Sequence, residues 1–310
     1  MPHPRRDFLA ASLGAAAATA ANKLPDAGPR FLVAALTMID KRGQFDEGLQ
    51  RDYLAHLQKG GADGALILGT TGEFPSFSIR ERKQVLESSI KHKGKLEIMA
   101  HVGTSNLPET LELIEHAAKA GAGSALVLPP YYFKNPTIDG LAAFYEPVLR
   151  GARVPVLLYN IPQLSGAAIT PELITRLSTF ENLAGMKDSF SKIPEMTEFI
   201  RRFPKMRVLT GVPGNMAANL AAGGAGAITG NGSVLLGETS AVFAAHAKGG
   251  DVAGAQRRFD EAARAFRGYA GVPAMKFALS LKGLRESGYR PPLLSLTEAQ
   301  KSSLRAQLGH

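Results

Sequence analysis

The strongest constraint on the fold is an alternation of short apolar runs with stretches of helical periodicity. Runs of about four to eight apolar residues are typical of buried strands, and here they alternate eight times with helical patterns. This alternation predicts βαβ units and a parallel sheet. Eight units within about 200 residues match a closed barrel better than an open doubly wound sheet. We therefore predict an α/β fold, a (β/α)₈ TIM barrel with a C-terminal helical extension.

The pattern divides the chain into predicted elements. The strands cover residues 31–37, 64–69, 96–102, 124–128, 154–160, 183–187, 207–210 and 226–229. The helices between them cover residues 46–58, 78–92, 106–119, 137–149, 170–177, 193–202 and 215–222, and from residue 238 onward the pattern is helical. The predicted parts are a leader (residues 1–28), the barrel (residues 29–236) and the helical extension (residues 237–310).

The first 28 residues differ in composition from the rest and are typical of a targeting segment. Arg5 and Arg6 precede a weakly apolar stretch rich in Ala and Gly at residues 10–21, and ATA at residues 18–20 has the small residues of a cleavage site. A twin-arginine pair indicates the Tat export route of bacteria. We expect export to the periplasm. The alternative is an Ala-rich N-terminal helix that stays on a cytoplasmic protein.

Composition excludes several classes of function. The chain has no cysteine, which removes disulfide frameworks, thiolate zinc sites, iron–sulfur clusters and cysteine nucleophiles. Its seven histidines lack the spacing of metal ligands, so no metal site is predicted. The sequence also lacks a P-loop, a Rossmann glycine motif after a strand and the nucleophile elbow of a serine hydrolase. We therefore predict no cofactor.

The charge distribution favours a small anionic substrate. The net charge is +9, but Lys and Arg are spread along the chain, and no run of five or more occurs. Nucleic-acid binding needs a localised basic stripe, so no nucleic-acid partner is predicted. A general positive field suits a small anion better. No uncharged apolar run reaches the roughly 18 residues that a membrane-spanning helix needs, so no membrane span is predicted.

In a (β/α)₈ barrel the chemistry lies at the C-terminal ends of the strands. Lys187 follows the apolar sixth strand, so we predict that its amine lies inside the barrel mouth, where burial disfavours the ammonium form and leaves a nucleophile. Tyr159 ends the fifth strand and offers a phenol for proton transfer in the same space. A solvated lysine or one paired with Asp188, and a tyrosine that only packs, are the alternatives. Asp188 alternates to the other face of the strand, which favours a structural role.

The end of the second strand carries several hydrogen-bond donors. GTTG at residues 69–72 places the hydroxyls of Thr70 and Thr71 beside backbone N–H groups, a set that suits a carboxylate or phosphate. A plain strand-to-loop turn is the alternative. Glu73 is a candidate general base, and a role at the start of a helix or in an ion pair is equally open.

Several motifs occur in the order and spacing of one known family. The three main motifs are GTTGE (residues 69–73), YNIP (residues 159–162) and GMKDS (residues 185–189). Two further similar segments are PPYY (residues 129–132) and LAAGGAGAITG (residues 220–230). Tyr159 and Lys187 are 28 residues apart, as in the family. Over about residues 31–308, the chain resembles the dihydrodipicolinate synthase / N-acetylneuraminate lyase family.

The resemblance implies a class I aldolase mechanism on pyruvate or another 2-oxo acid. Lys187 is implied to form a Schiff base with the keto group, and Tyr159 to move protons to and from the substrate. Thr70 is implied to relay protons, and Thr71 to hold the carboxylate through its hydroxyl and backbone N–H. Tyr132 resembles a tyrosine that one subunit lends to its neighbour's active site, which implies a homo-oligomer, either a dimer or a tetramer.

Three more residues complete the implied site. Gly69 belongs to the carboxylate-binding turn, and the backbone carbonyl of Ile228 is implied to lie beside the imine. Ser189 is implied to face the distal part of the substrate.

Two departures from the family bear on the substrate. Leu164 stands where the synthases carry an arginine for the aldehyde's carboxylate, so that bidentate clamp is lost. Residues 212–214 (VPG) lack the acidic pair by which sialate lyases bind sugar hydroxyls. GEFP and ER within residues 72–82, together with GMKDS, are more similar to aldolases for 4-hydroxy-2-oxoglutarate and 2-keto-3-deoxy sugar acids. The alternatives are the dihydrodipicolinate (4-hydroxy-tetrahydrodipicolinate) synthase of lysine biosynthesis, N-acetylneuraminate lyase and a non-catalytic protein that binds 2-oxo acids.

Overall fold

Eight parallel strands form a closed barrel in the computed structural model, which describes residues 28–309. Each strand pairs with its sequence neighbours, and the last strand pairs with the first. The strands are β1 (Arg30–Ala34), β2 (Gly64–Ile67), β3 (Glu97–His101), β4 (Ser124–Val127), β5 (Val156–Asn160), β6 (Leu183–Asp188), β7 (Arg207–Thr210) and β8 (Gly226–Thr229). The predicted (β/α)₈ barrel is confirmed. The predicted leader lies outside the described residues, apart from Gly28.

Helices follow the strands around the outside of the barrel. They are α1 (Glu47–Lys59), α2 (Ile79–Lys91), α3 (Leu107–Ala120), α4 (Ile138–Gly151), α5 (Pro162–Ser165), α6 (Pro171–Leu177), α7 (Ile193–Arg202), α8 (Met216–Ala221) and α9 (Leu236–Ala247). Three more helices follow toward the C-terminus: α10 (Val252–Ala263), α11 (Gly271–Leu281) and α12 (Glu298–Gln307). Among residues 28–309, no helix combines the length and the apolar character needed to cross a membrane.

The prediction of continuous helix from residue 238 onward is wrong between α11 and α12. Residues 282–297, the connecting segment, form turns and irregular structure. Gly283 and Gly288 disfavour a helix there, and Pro291 and Pro292 cannot donate the backbone hydrogen bonds that a helix needs.

Helix α9 lies against the barrel wall. The ring of Phe243 stacks on Phe31 of β1 with 5.7 Å between centroids, and the Ser240 hydroxyl donates to the carbonyl of Gly60 at 2.8 Å. The division of the chain at residues 236 and 237 stays a prediction.

Apolar side chains line a small cavity inside the barrel at its N-terminal end. These are Leu32, Met99, Leu157 and Leu209, next to Arg30 of β1. Arg30 pairs with Glu97 at 3.2 Å and lies at the rim of this end. In barrels of this kind the substrate enters at the opposite, C-terminal end of the strands.

Candidate active site

Strands β5 and β6 place Tyr159 and Lys187 side by side at the C-terminal end of the barrel. The two residues are register partners, and the Lys187 Nζ donates to the Tyr159 hydroxyl at 3.2 Å. The amine also lies 4.4 Å from the centroid of the tyrosine ring. Lys187 is 4% exposed and Tyr159 2%. The lysine is therefore a buried group beside a phenol and not a solvated residue of the rim.

Asp188 does not pair with this lysine. Its Oδ1 accepts from the Asn160 side chain at 2.9 Å and from the backbone N–H groups of Phe190 and Ser191 at 3.2 and 3.1 Å. The alternation of side chains along β6 turns it to the outer face of the strand. Its predicted structural role is confirmed. Among the ion pairs of the described residues, none includes Lys187.

The surroundings of Tyr159 lower the pKa of its phenol. Burial acts to raise the pKa, but the positive charge of Lys187 and hydrogen bonds with Thr70, Lys187 and Ser189 outweigh it. A phenol with a lowered pKa exchanges protons more readily near neutral pH. The site thus contains a buried amine and a phenol suited to proton transfer.

The loop after β2 brings Thr70 to the phenol. The Thr70 Oγ1 lies 3.3 Å from the Tyr159 hydroxyl, so hydroxyl, phenol and amine form a continuous row. Thr71 is partly exposed, and its Oγ1 would lie 2.9 Å from a Cβ on Gly230, just beyond β8. Gly69 is buried at the end of β2. The Thr70 hydroxyl therefore lies beside the phenol at the end of the fifth strand, and the Thr71 hydroxyl beside the end of the eighth, both at the mouth of the barrel.

Ser189 and Gly211 border the opposite side of the mouth. Ser189 is partly exposed, and its backbone N–H donates to the carbonyl of Asn160 at 2.9 Å. A Cβ added to Gly211 would collide with the Ser189 Oγ and lie 3.0 Å from the Lys187 Cε. The glycine therefore leaves the space that these two side chains occupy.

Three further residues singled out from the sequence have no side-chain contact with the lysine that the structure records. Ile228 is fully buried in β8, in register with Leu32 of β1, and the role of its carbonyl stays a prediction. Tyr132 is 75% exposed, and its ring contacts the edge of Phe133 with centroids 5.3 Å apart. Leu164 is 55% exposed. The role predicted for Tyr132, in the site of a second copy of the chain, stays a prediction.

Glu73 forms an ion pair and is not free to act as a general base. Its Oε1 accepts from the Lys276 Nζ at 2.6 Å, and both side chains are inaccessible or nearly so. Of the roles left open from the sequence, the ion pair is confirmed. Lys276 itself was missed, although a lysine inside the apolar run PAMKFAL of α11 is a visible signal of a buried partner.

Two other buried bases near the site were also missed. His101 ends β3 with its ring 6.3 Å from that of Tyr159, and Arg82 donates to the His101 carbonyl at 2.9 Å. Burial, followed by the charges of Arg82 and Lys187, holds the pKa of His101 well below its usual value. Burial also lowers the pKa of Arg82 to about 10. His101 is the last residue of β3, so its position at a strand end, the feature that indicated Lys187 and Tyr159, is the signal that could have found it.

Metal-ligand geometry does not occur in the described part of the chain. Within residues 28–309, no three His, Asp or Glu side chains are grouped closely enough to hold a metal ion.

An amine kept out of water beside a phenol, at the open end of a barrel, fits a lyase that makes or breaks carbon–carbon bonds through a Schiff base. The chain belongs to the dihydrodipicolinate synthetase family, whose sequence model matches residues 28–310. The protein is accordingly a lyase of the class I, pyruvate-dependent aldolase type.

Known relatives cover nearly the whole chain. An uncharacterized DapA-like lyase from Chloroflexus aurantiacus is 36% identical over 90% of this chain and 96% of its own. A 4-hydroxy-tetrahydrodipicolinate synthase from Acidothermus cellulolyticus is 33% identical over 90% of this chain and 91% of its own. Among solved structures, YagE from E. coli K12 in complex with pyruvate superposes with a TM-score of 0.86 at 28% identity, covering 92% of this chain and 98% of its own.

Proposed function

We propose that the protein is a Schiff-base aldolase for a short 2-oxo acid of the 4-hydroxy-2-oxoglutarate or 2-keto-3-deoxy sugar acid type, with Lys187 as the nucleophile. The observation that carries this proposal is the 3.2 Å hydrogen bond between the buried Lys187 Nζ and the Tyr159 hydroxyl. No carboxylate of the described residues forms an ion pair with this amine. The amine is thus held by a phenol that can exchange a proton with it and not by a carboxylate, as a nucleophile that attacks a ketone requires.

In the proposed reaction Lys187 adds to the keto carbon of the substrate. The carbinolamine loses its oxygen as water, with the proton supplied through Tyr159, and a protonated imine remains. This imine accepts the electron pair of the breaking C3–C4 bond, while Tyr159, which gave its proton to the leaving water, takes the proton of the C4 hydroxyl, and the fragment that bears this hydroxyl departs as an aldehyde. The resulting enamine takes up a proton at carbon, and water then releases pyruvate and restores the amine. Thr70 passes protons between solvent and Tyr159.

The other residues are proposed to bind the substrate. Thr71 and the turn at Gly69 receive the carboxylate through a hydroxyl and backbone N–H groups. The Ile228 carbonyl lies beside the imine, and Ser189 contacts the distal hydroxyls.

The departures at the rim weigh against the synthase and the sialate lyase. Leu164 is exposed and apolar, so it cannot supply the bidentate clamp that the synthases place on the aldehyde's carboxylate. Residues 212–214 offer no acidic side chain to sugar hydroxyls. The synthase reaction is the second candidate, because two relatives that carry that name are each 33% identical to this chain.

Borohydride trapping with pyruvate tests the nucleophile. We expect the intact mass to rise by one reduced pyruvate imine in the wild type and in Lys205→Ala, which removes an exposed lysine as a control, and not in Lys187→Ala. An adduct that persists in Lys187→Ala contradicts the assignment of Lys187 as the nucleophile. Pyruvate release from a panel of 2-oxo acids then tests the substrate class. Condensation of pyruvate with an amino-aldehyde carboxylate, without any retro-aldol cleavage, would favour the synthase.

We also propose a homo-oligomer, dimer or tetramer, in which Tyr132 acts in the neighbour's site. The support is the exposure of two adjacent aromatic side chains, Tyr132 at 75% and Phe133 at 78%. Mixing inactive Tyr132→Phe and Lys187→Ala proteins is expected to restore part of the activity, because a mixed pair contains one complete site. No recovery, although native mass spectrometry shows that mixed oligomers have formed, contradicts the shared site.

Export by the Tat route is proposed on the sequence of residues 1–28. Cell fractionation of the full chain is expected to find the protein in the periplasm, and Arg5→Lys combined with Arg6→Lys is expected to retain it in the cytoplasm. A cytoplasmic wild type contradicts export.

A further inference from the structure

The loop that carries the two threonines has an unfavourable backbone at both ends. Leu68 and Glu73 each have φ of 58°, the left-handed region that residues other than glycine rarely adopt. Such conformations persist only where the surrounding structure holds them, and they concentrate at functional sites. Residues 68–73 therefore need contacts that hold this conformation in place.

Some of these contacts lie within the barrel. The Glu73 N–H donates to the Thr70 carbonyl at 3.1 Å, and the Thr37 hydroxyl donates to the Gly72 carbonyl at 2.7 Å. A Cβ on Gly72 would approach the Ala35 carbonyl oxygen to 2.9 Å, so the loop lies directly on the backbone that follows β1. These contacts fix the height of the loop over β1, and the side chain of Glu73 adds a link to a distant part of the chain.

The side chain of Glu73 connects the loop to the C-terminal part of the chain. Lys276 of α11 donates to its Oε1 at 2.6 Å and to the Gly288 carbonyl at 2.9 Å. The Gly288 N–H in turn donates to the Ile39 carbonyl at 2.7 Å. One lysine thus joins the threonine loop, α11 and the connecting segment, and that segment is itself tied to the loop after β1.

Arg290 fixes the same segment at a second point. It donates to the carbonyls of Gly43 at 2.7 Å and Ser76 at 2.6 Å, and to the Glu81 carboxylate at 2.7 Å. The segment that Lys276 contacts is therefore fixed to the barrel at two points, so the position of the lysine relative to Glu73 is fixed as well.

The ion pair is not arranged for greatest stability. The Glu73 Oε2 is buried and has no hydrogen-bond partner in the described structure, and the hydroxyl of Tyr289, whose ring lies 5.4 Å from the Lys276 Nζ, has none either. An apolar pair of the same size would avoid the cost of burying two charges. The arrangement is better explained by what it positions.

We propose that Lys276 and Glu73 are positioning residues that hold residues 68–73 in the conformation in which Thr70 and Thr71 meet the 2-oxo acid. Neither residue touches the reacting atoms. The inference rests on the proposed function, since Thr71 is assigned the substrate carboxylate and Thr70 the proton relay there. Loss of the ion pair then weakens pyruvate binding while Lys187 stays intact.

Three variants separate positioning from simple stability: Glu73→Gln, Lys276→Met and the double variant that carries both changes. Each is assayed well below its own melting temperature, with Lys282→Met, an exposed lysine at the end of α11, as the matched control. We expect the pyruvate concentration for half-maximal borohydride trapping to rise about 10- to 100-fold in the single variants, because a small misplacement of binding groups costs that much. The double variant removes both charges, so it is expected to regain melting temperature without regaining pyruvate affinity.

The outcomes are distinct from those that test the proposed function. If the wild type forms no adduct on Lys187, the proposed function and this inference fail together. If the wild type and Lys282→Met form the adduct normally, and the Glu73 and Lys276 variants show unchanged pyruvate dependence while melting at lower temperature, the ion pair is purely structural and only this inference is overturned.

Discussion

Two buried lysines in this protein stand in opposite electrostatic settings. Lys187 is 4% exposed, and its amine donates to a phenol at 3.2 Å. Lys276 is 1% exposed, and its amine donates to the Glu73 carboxylate at 2.6 Å and to a backbone carbonyl. Burial alone therefore does not distinguish a reactive lysine from an anchoring one.

The region around each lysine shows the same contrast. Arg82 and His101 lie beside the Lys187 site, both buried, and no ion pair of the described residues includes Arg82 or Lys187. Positive charge without an ion-pair partner thus lies on this side of the site, which favours a negatively charged substrate. At Lys276, burial lowers the pKa, and the carboxylate of Glu73 opposes that shift.

The difference shows where chemistry can occur. An amine held by a carboxylate and a carbonyl already has its protons directed at fixed acceptors, so attack on a ketone would require breaking both contacts. An amine beside a phenol has a partner that both gives and accepts a proton. The presence or absence of a carboxylate is therefore the feature that separates the two roles.

The largest expected effect is on turnover. Lys187→Met is expected to reduce retro-aldol activity at least about 10³-fold, because the covalent intermediate cannot form. Lys276→Met is expected to keep the borohydride adduct on Lys187 at saturating pyruvate. Pyruvate release measures the first effect, and peptide mapping of the reduced adduct checks the second. A reduced adduct on Lys276 in the wild type would show that a carboxylate partner does not keep a buried lysine from reacting.

Loss of the phenol is expected to slow the reaction without preventing it. Tyr159→Phe removes the proton donor but keeps the ring and the lysine, so we expect turnover to fall about 10²- to 10⁴-fold. Single-turnover borohydride trapping is expected to show slower imine formation with the same final yield. Thr70→Ser, which keeps the hydroxyl, serves as the control. Wild-type imine formation in Tyr159→Phe would remove the phenol from the mechanism.

The loss of stability is expected to be larger on replacing Lys276 than on replacing Lys187, the reverse of the order for activity. Lys276→Met leaves the Glu73 carboxylate buried without a partner, and breaking a buried pair in this way costs about 3–5 kcal/mol. Lys187→Met leaves no charge unpaired and is expected to change the free energy of unfolding by less than about 1.5 kcal/mol. Urea unfolding at neutral pH measures both. Equal losses would show that the two lysines contribute alike to stability.

The barrel was predictable because its signal is repeated. Each strand is a short apolar run and each helix has its own period, so an error at one boundary does not change the count of eight. Lys187 and Tyr159 could be found because strand ends in a parallel barrel face one mouth. The prediction needed no side-chain detail, only that residues 159 and 187 end neighbouring strands, and the structure makes them register partners.

The pairing of Glu73 with Lys276 could not be predicted in the same way. The two residues are 203 positions apart, and no periodicity links them. Their contact depends on how α11 and the connecting segment fold back on the barrel, and the connecting segment was itself predicted as helix. A charged residue inside an apolar helix indicates that a partner exists but not which residue it is.

A smaller effect, on the pH dependence of stability, is expected from His101, and it tests the positively charged surroundings of Lys187 by themselves. Because the folded-state pKa of His101 lies well below its usual value of 6.5, the unfolded chain binds a proton between those two values and the folded chain does not. The free energy of unfolding should therefore fall as the pH drops below about 6.5, by up to about 1.4 kcal/mol per pH unit from this group. We expect the difference between urea unfolding at pH 7 and at pH 5.5 to shrink by about 1 kcal/mol in His101→Gln. His246→Gln, at a partly exposed histidine on α9, is expected to keep the wild-type difference. An unchanged difference in His101→Gln would mean that a counter-charge reaches this region, and the contrast between the two lysines would then need another cause.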